Sequence, residues 1–131
     1  MAIKPDIATR EDILTFVIEF YDLVKTDPII GRIFTDIIKI DWDHHIPLIT
    51  DFWETILLDN PVYRKNAMEK HFDINRIVPL TPAHFDAWLS SFNATIDQLF
   101  EGPVANKAKT RARAIAEIMQ LKMDKANESL I

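Results

Sequence analysis

The sequence of 131 residues contains no cysteine, and glycine occurs only at Gly31 and Gly102. The lack of cysteine excludes disulfides, thiol nucleophiles, thiolate-bound zinc and iron–sulfur clusters. So few glycines rule out a glycine-rich phosphate loop and favour helices over sheets. Basic residues number 15 against 20 acidic ones, and the net charge of −5 provides no positive field to attract nucleic acid or an anionic membrane.

Long hydrophobic runs are also missing. No stretch of about 18 apolar residues is present to span a bilayer, and the first residues lack the apolar core of a signal peptide. We therefore expect a cytoplasmic protein without nucleic-acid or membrane partners. Hydrophobic residues make up 48% of the chain and include three Trp and eight Phe, which suffices for one compact domain. We predict a single domain over 1–131, with its core between about 10 and 122 and loosely held ends.

Apolar stripes at helical spacing predict an all-α fold with four long helices. The first helix ends at Asp27-Pro28, because a residue that precedes proline is pushed out of the helical conformation. A short helical turn over 29–34 follows it. The predicted starts are Thr9 as N-cap of the first helix, Asp43 for the second, with His45 at its entrance, Thr81 before Pro82 for the third, and Val104 for the fourth.

The stretch from Asp59 to Pro82 differs from the rest of the chain. It contains three prolines and mixed charges, with no sustained apolar period. A long irregular stretch inside a small helical domain is often functional. We expect one short helix there, over about Lys65 to Phe72.

The four histidines, His44, His45, His71 and His84, are the best candidates for chemistry in a chain without cysteine. Neighbouring His44 and His45 diverge by about 100° on a helix, and no HExxH motif is present. A zinc site would have to recruit Asp41, Asp43 or Asp51 at irregular spacing, so a mononuclear metal enzyme is the weaker alternative.

Three polar groups lie on otherwise apolar stripes: Tyr21 on the first helix, His45 on the second and Trp88 on the third. Each needs a hydrogen-bond partner when buried. The three are able to converge on a ligand in an apolar pocket, while His71 lies off every stripe and is free to approach from the other side. Such a layout suits a haem, which needs an apolar slot, one imidazole and polar groups at the second axial position.

Several short segments occur in an order that is typical of one family. They are Phe20-Tyr21, Pro28-Ile-Ile-Gly31-Arg-Ile-Phe34, Asp41-Trp-Asp-His-His45, Phe52-Trp53, Leu57-Leu58, Tyr63, Met68-Glu-Lys-His71 and His84-Phe-Asp-Ala-Trp88-Leu. Between about residues 10 and 120 the chain resembles the group III truncated (2-over-2) haemoglobins. The resemblance implies a truncated globin fold, a 2-over-2 helical sandwich around a haem.

Residue by residue, the resemblance implies that His71 binds the haem iron. Tyr21, His45 and Trp88 then surround the distal ligand. His84 is the rival for the iron, but in the family the aligned ligand precedes the irregular loop, so we prefer His71 and interpret His84 as a first-turn helix residue. The implied haem contacts are Phe34, Ile49, Phe52, Trp53, Tyr63, Arg64, Met68, Lys70 and Trp88, of which Tyr63, Arg64 and Lys70 fall near the propionates.

The resemblance further implies that haem b (iron protoporphyrin IX) binds O2, CO, NO or peroxide. Several hydrogen-bond donors at the distal site favour tight binding and slow release. Peroxidase-like or NO/O2 redox activity, with electrons from a reductase, is left open. The alternative from a different class is a cofactor-free helical interaction domain in which the aromatic stripes are ordinary core.

Overall fold

The computed structural model describes residues 4–37, 41–63 and 80–128. Over these ranges the chain is helical, as predicted, and no strand occurs in them. The predicted short helix over 65–72, together with His71, falls outside the described residues. The helices are α1 (Arg10–Lys25), a π-helix (Ile33–Ile37), α2 (Trp42–Leu58), α3 (Pro82–Leu99) and α4 (Pro103–Glu128).

The four long helices form two pairs. α1 packs on α2 and α3 packs along α4, while α1 also contacts α3 and so joins the pairs. Phe16 lies fully buried at this junction, with its ring edge-on to Trp53 at 6.0 Å, Phe92 at 5.7 Å and Phe100 at 6.4 Å. Burying one such side chain stabilises the fold by roughly 1.5–3 kcal/mol. No helix in the described ranges is long and apolar enough to cross a bilayer.

α1 begins and ends where its sequence predicts. The Thr9 side chain accepts a hydrogen bond from the Asp12 amide at 3.2 Å, and the Asp12 carboxylate accepts one from the Thr9 amide at 3.1 Å, which forms a capping box. Beyond Lys25, the Asp27 carboxylate accepts hydrogen bonds from the amides of Ile29 and Ile30 and so caps the turn that follows the helix. The buried stripe consists of Ile13, Phe16, Val17, Phe20, Tyr21 and Val24.

α2 begins earlier than predicted. Its N-cap is Asp41 rather than Asp43, and the His45 amide donates to the Asp41 carbonyl at 2.8 Å. Pro47 therefore lies within the helix, where it has no N–H to donate to the Asp43 carbonyl. At the other end, Asp59 adopts a left-handed conformation with φ of 56°, a common way for a helix to end.

α3 starts at the predicted cap. Thr81 precedes Pro82, which occupies the first helical position, where the missing N–H costs little. The Thr81 amide donates to Nδ1 of His84 at 2.9 Å. His84 is thus a first-turn helix residue, as expected, and one of its ring nitrogens is engaged in capping.

The N-terminal segment caps α4 from a distance. Gly102, with φ of 142°, precedes the helix and has no side chain with which to cap it. The Asp6 carboxylate instead accepts hydrogen bonds from the amides of Val104 at 3.0 Å and Ala105 at 2.8 Å. A Cβ atom on Gly102 would lie 2.6 Å from the Asp6 side chain, so glycine is required at this point.

The buried core is longer than the expected span of 10–122. Ile7, next to the capping Asp6, is 2% exposed, and Met123 near the end of α4 is fully buried. α4 itself continues to Glu128. Tethering by Asp6 explains why the N-terminal segment is held in the core.

Candidate functional site

Tyr21 and His45 form a hydrogen-bonded pair where α1 meets α2. The Tyr21 hydroxyl and His45 Nε2 are 3.0 Å apart. Tyr21 belongs to the buried stripe of α1 and is 7% exposed, while His45 is half-buried in the first turns of α2. The structure thus brings together two of the three polar groups that the sequence places on apolar stripes.

Aromatic rings surround this pair. The Tyr21 ring lies 5.9 Å from Phe34, 5.2 Å from Trp42 and 5.2 Å from His45. Phe34 reaches this position from the π-helix that follows α1. The short polar contact therefore lies among apolar surfaces, where an electrostatic interaction is stronger than in water.

Trp42 is a member of the site whose role was not predicted from the sequence. Its ring also contacts His45 at 5.7 Å, and the Lys25 ammonium lies 4.1 Å from the ring centroid in a cation–π contact. Trp42 precedes His45 by three residues, and this spacing places both on one stripe of a helix. The signal was obscured because the predicted start of α2 at Asp43 left Trp42 outside the helix.

Burial raises the pKa of the Tyr21 hydroxyl above its usual value of 10.0. The reason is desolvation, because a phenolate in this position would lose its hydration. Tyr21 therefore remains protonated at neutral pH and retains a proton for hydrogen bonding.

Trp88 belongs to the same aromatic cluster but lies one ring away from Tyr21. Phe20 stands between them, 5.1 Å from Tyr21 and 5.8 Å from Trp88. The Trp88 ring stacks on Phe92 at 5.7 Å, and the residue is half-buried on α3. The structure thus places Trp88 beside the pair without a direct ring contact to it.

α2 carries two different apolar faces. One is fully buried and includes Trp53, which is 3% exposed and stacks on Phe92 at 4.8 Å. Little of Trp53 is therefore left for contact with a cofactor. The other face is only half-buried although it is apolar, and it includes the predicted contacts Ile49 and Phe52.

Tyr63 follows α2 and returns to its half-buried face. Its ring lies edge-on to Phe52 at 5.2 Å. Desolvation raises the pKa of the Tyr63 hydroxyl as well. The predicted contacts Phe52 and Tyr63 are therefore adjacent, at the opposite end of α2 from His45.

The remaining predicted site residues divide into two groups. His71, Arg64, Met68 and Lys70 lie outside the described residues. His44 is exposed, as expected, and within 4–37, 41–63 and 80–128 no three His, Asp or Glu side chains are grouped so as to hold a metal ion. The zinc alternative that recruits Asp41, Asp43 or Asp51 therefore gains no support from this part of the chain.

Comparison with known proteins identifies similar sequences and structures. The chain is 28% identical over 120 residues to the group 3 truncated haemoglobin ctb of Campylobacter jejuni, covering 89% of this chain and 92% of that protein. The crystal structure of a group III truncated haemoglobin from Campylobacter jejuni has a TM-score of 0.79 and 27% identity over 92% of this chain and 95% of the other. No family model matches the chain.

A second solved structure extends the likeness. The truncated oxygen-avid haemoglobin from Bacillus subtilis has a TM-score of 0.71 over 85% of this chain and 92% of that one. At 23% identity, this match shows the fold alone. Together, the two structural matches confirm the 2-over-2 helical fold expected from the sequence.

Proposed function

Because this chain belongs to the truncated haemoglobin family, we propose that it is a group III member that binds haem b and, at that haem, O2 and related small ligands. The observation that carries the proposal is the Tyr21–His45 hydrogen bond inside a ring of aromatic side chains. Placing polar groups in an apolar setting is unfavourable unless they are hydrogen-bonded. A pair of this kind, next to a half-buried apolar face, is suited to a small polar ligand.

The described residues fit a haem on its distal side. A flat, largely apolar macrocycle binds to apolar side chains that are still partly exposed when no cofactor is present. Four of the predicted contacts are half-buried and meet this requirement: Phe34, Ile49, Phe52 and Trp88. Tyr63 extends this surface beyond α2. We assign Trp53 to packing beneath it because of its burial. The absence of cysteine in this sequence excludes the thioether bonds of haem c, which is consistent with the proposed haem b because haem b binds without a covalent link.

His71 is proposed as the iron ligand on the strength of the resemblance. Support comes from the other three histidines. His45 is bonded to Tyr21, His84 caps the start of α3, and His44 is exposed. Arg64, Met68 and Lys70 remain proposed haem contacts on the same basis as His71.

When bound, a haem supplies an iron that takes up diatomic ligands. The role of the chain is to donate hydrogen bonds to the ligand in the distal pocket. When His45 donates its Nε2–H to the Tyr21 oxygen, it leaves the Tyr21 O–H free to point at the ligand, and Trp88 offers its indole N–H. A hydrogen bond to a charged partner contributes about 1.5–3 kcal/mol. The Trp42 ring, which also contacts the Lys25 ammonium, packs against one side of the pair.

These donors predict slow release of O2. They also suit redox chemistry on O2, NO or peroxide, because donors aimed at a ligand that gains negative charge stabilise that charge. A reductase partner would then be needed to supply electrons. We propose this chemistry as a consequence of the polar distal side.

The decisive experiment is to add haemin to the purified chain. We expect a Soret band that shifts on reduction and again on addition of CO. His71→Ala should lower haemin affinity by at least about tenfold through loss of the axial ligand. The matched control His84→Ala should keep the haem, although loss of the hydrogen bond from the Thr81 amide destabilises the fold by about 1 kcal/mol.

Two outcomes would contradict the proposal in different ways. Loss of haem in His84→Ala but not in His71→Ala would reassign the iron ligand. A colourless protein that ignores added haemin would exclude the haem function altogether and favour a cofactor-free interaction domain.

A further inference from the structure

The hydroxyl of Thr55 uses its full hydrogen-bonding capacity. It donates to the Asp51 carbonyl one turn earlier in α2 at 2.9 Å. It also accepts hydrogen bonds from two backbone amides beyond the helix, Tyr63 at 2.9 Å and Val62 at 3.2 Å. One donated and two accepted bonds are all that a threonine hydroxyl can make.

Thr50, five residues earlier on α2, shows what an ordinary helical threonine does here. Its hydroxyl donates to the Ile46 carbonyl at 2.8 Å, the same bond to the preceding turn. In the described ranges Thr50 holds no segment outside its own helix. Thr55 therefore differs from Thr50 in its two accepted bonds rather than in its bond to the helix.

The bond to the Tyr63 amide is the important one of the two. The Val62 amide also lies 2.8 Å from the Asn60 carbonyl and so has a second acceptor. At Tyr63, the hydrogen bond fixes the backbone of a residue whose ring rests edge-on against Phe52 at 5.2 Å. Thr55 and Phe52 are three residues apart and lie on the same side of α2. Backbone and ring of Tyr63 are thus held by neighbouring positions of one helix.

A buried carboxylate strengthens this arrangement. Glu54 is 4% exposed, accepts a hydrogen bond from the Asn60 side chain and pairs with Arg10 at 3.0 Å. Arg10 also pairs with Asp51 at 2.7 Å, and the hydrogen bonds to Asp51 and then Glu54 raise the pKa of the guanidinium. The start of α1, the end of α2 and the segment from Asn60 are therefore tied together just before Tyr63.

We propose that Thr55 is a positioning residue of the haem pocket, which acts by holding Tyr63 against Phe52 at the wall of the pocket. The inference rests on the proposed function, because it takes Tyr63 as a haem contact. Glu54 and Asn60 support the same segment, but Thr55 bonds to Tyr63 itself. Thr55 thereby links α2 to Tyr63, which precedes the part of the sequence that contains His71.

The test compares Thr55→Val with Thr50→Val. Valine has nearly the same shape as threonine but lacks the hydroxyl, so each replacement removes one hydrogen bond within α2. In the chain without haem, Thr55→Val should speed hydrogen exchange of the Tyr63 amide about tenfold. In the chain with haem, it should speed the transfer of haemin to excess apomyoglobin about threefold to tenfold. Thr50→Val should leave both rates nearly unchanged. Thr55→Ser keeps the hydroxyl and should show both rates of the unchanged chain.

A double variant tests whether Thr55 acts through Tyr63. Tyr63→Leu should itself speed haemin loss, because it removes the ring from the pocket wall. Adding Thr55→Val to Tyr63→Leu should then give little further acceleration, since residues that act through one contact are not additive. Independent effects of the two replacements would overturn the proposal.

The haem and hydrogen-exchange measurements also separate this proposal from the function on which it rests. If haemin binds but dissociates from Thr55→Val and from the unchanged chain at the same rate, the positioning role is overturned and the haem function stands. A chain that binds no haemin overturns both. An unchanged exchange rate of the Tyr63 amide in Thr55→Val shows that Thr55 does not hold this backbone, and overturns the positioning role irrespective of haem.

Discussion

At the scale of single residues, Tyr21 combines an apolar ring with a polar hydroxyl. Its ring is part of the buried stripe of α1 and contacts Phe34 and Trp42. Its hydroxyl is nevertheless bonded to His45 and stays protonated because burial raises its pKa. A donor that cannot ionise at neutral pH and cannot rotate far is well prepared to bind a ligand.

Replacing Tyr21 by Phe removes the hydroxyl and retains the ring. We expect O2 to dissociate about tenfold to a hundredfold faster, which corresponds to the loss of one hydrogen bond of about 1.5–3 kcal/mol to a charged partner. Flash photolysis or stopped-flow mixing of the ferrous protein measures the rate. Dissociation at the original rate would remove Tyr21 from the distal site.

A control separates this effect from a change in packing. Phe20→Leu alters the neighbouring ring on α1 without removing a hydrogen-bond donor. It should lower the free energy of unfolding and leave the O2 dissociation rate nearly unchanged. The reverse result would indicate that packing, and not the hydroxyl, sets ligand release.

Tyr21 and His45 show which part of the site could be predicted from the sequence. Tyr21 and His45 are 24 positions apart, yet their places on two apolar stripes are enough to predict that they face one site. Trp42 was missed because its place on the stripe depends on where α2 begins. Asp41 and Asp43 are both good caps, and no local signal decides between them.

At the scale of elements, α4 depends on a residue from the other end of the chain. Asp6 accepts hydrogen bonds from the second and third residues of the helix, Val104 and Ala105, which otherwise have no partner within the helix. Burial works against ionisation of Asp6, but bonds from these amides and from Ile7 outweigh it, and its pKa falls below the usual 3.8. The carboxylate and the positive end of the helix stabilise each other.

Asp6→Ala should therefore lower the free energy of unfolding by about 1–2 kcal/mol at pH 7. Because the pKa is lower in the folded chain than in the unfolded chain, this stabilisation is complete above the ordinary carboxyl pKa and disappears as the pH falls through the folded value. Urea unfolding at pH 7 and near pH 3 should show a smaller difference between the two chains at the lower pH. A difference that does not narrow would contradict the argument, and Asp86→Ala, an exposed carboxylate on α3, provides the control.

Two caps that lie beside their own helices were predicted from the sequence, whereas the cap that comes from a distant part of the chain was not. Thr9 and Thr81 sit beside the helices they cap, so sequence spacing predicts both caps. Asp6 lies 98 positions from Val104, and no periodicity relates the two. The burial of Ile7 beside Asp6 could not be predicted for this reason.

At the scale of the whole molecule, the two helix pairs leave an apolar surface incompletely covered. Ile49 and Phe52 remain half-buried on α2, while Trp53 on its other face is fully enclosed. From the sequence, the residues on both faces of α2 were predicted alike to contact the haem. Periodicity indicates which residues face inward but not what covers them. That distinction emerges only when the helices are packed.

Removal of haem should therefore reduce stability. A ligand that binds only the folded chain adds about 4 kcal/mol when its free concentration is a thousand times its dissociation constant. Chains with and without haem, compared by urea unfolding, should differ in midpoint, whereas haemin should hardly shift the midpoint of His71→Ala. Equal midpoints for the unchanged chain with and without haem would contradict a haem site at this surface.

The three tryptophans occupy three distinct environments. Trp42 lies under the Lys25 ammonium at the edge of the polar pair, Trp53 is enclosed between the helix pairs, and Trp88 is half-buried on α3. Their indoles therefore differ in nearby charge and solvent contact, and we expect each to have its own emission. Variants that keep one tryptophan and replace the other two with Phe turn this difference into optical probes of the distal rim, the interior and α3, without any added dye.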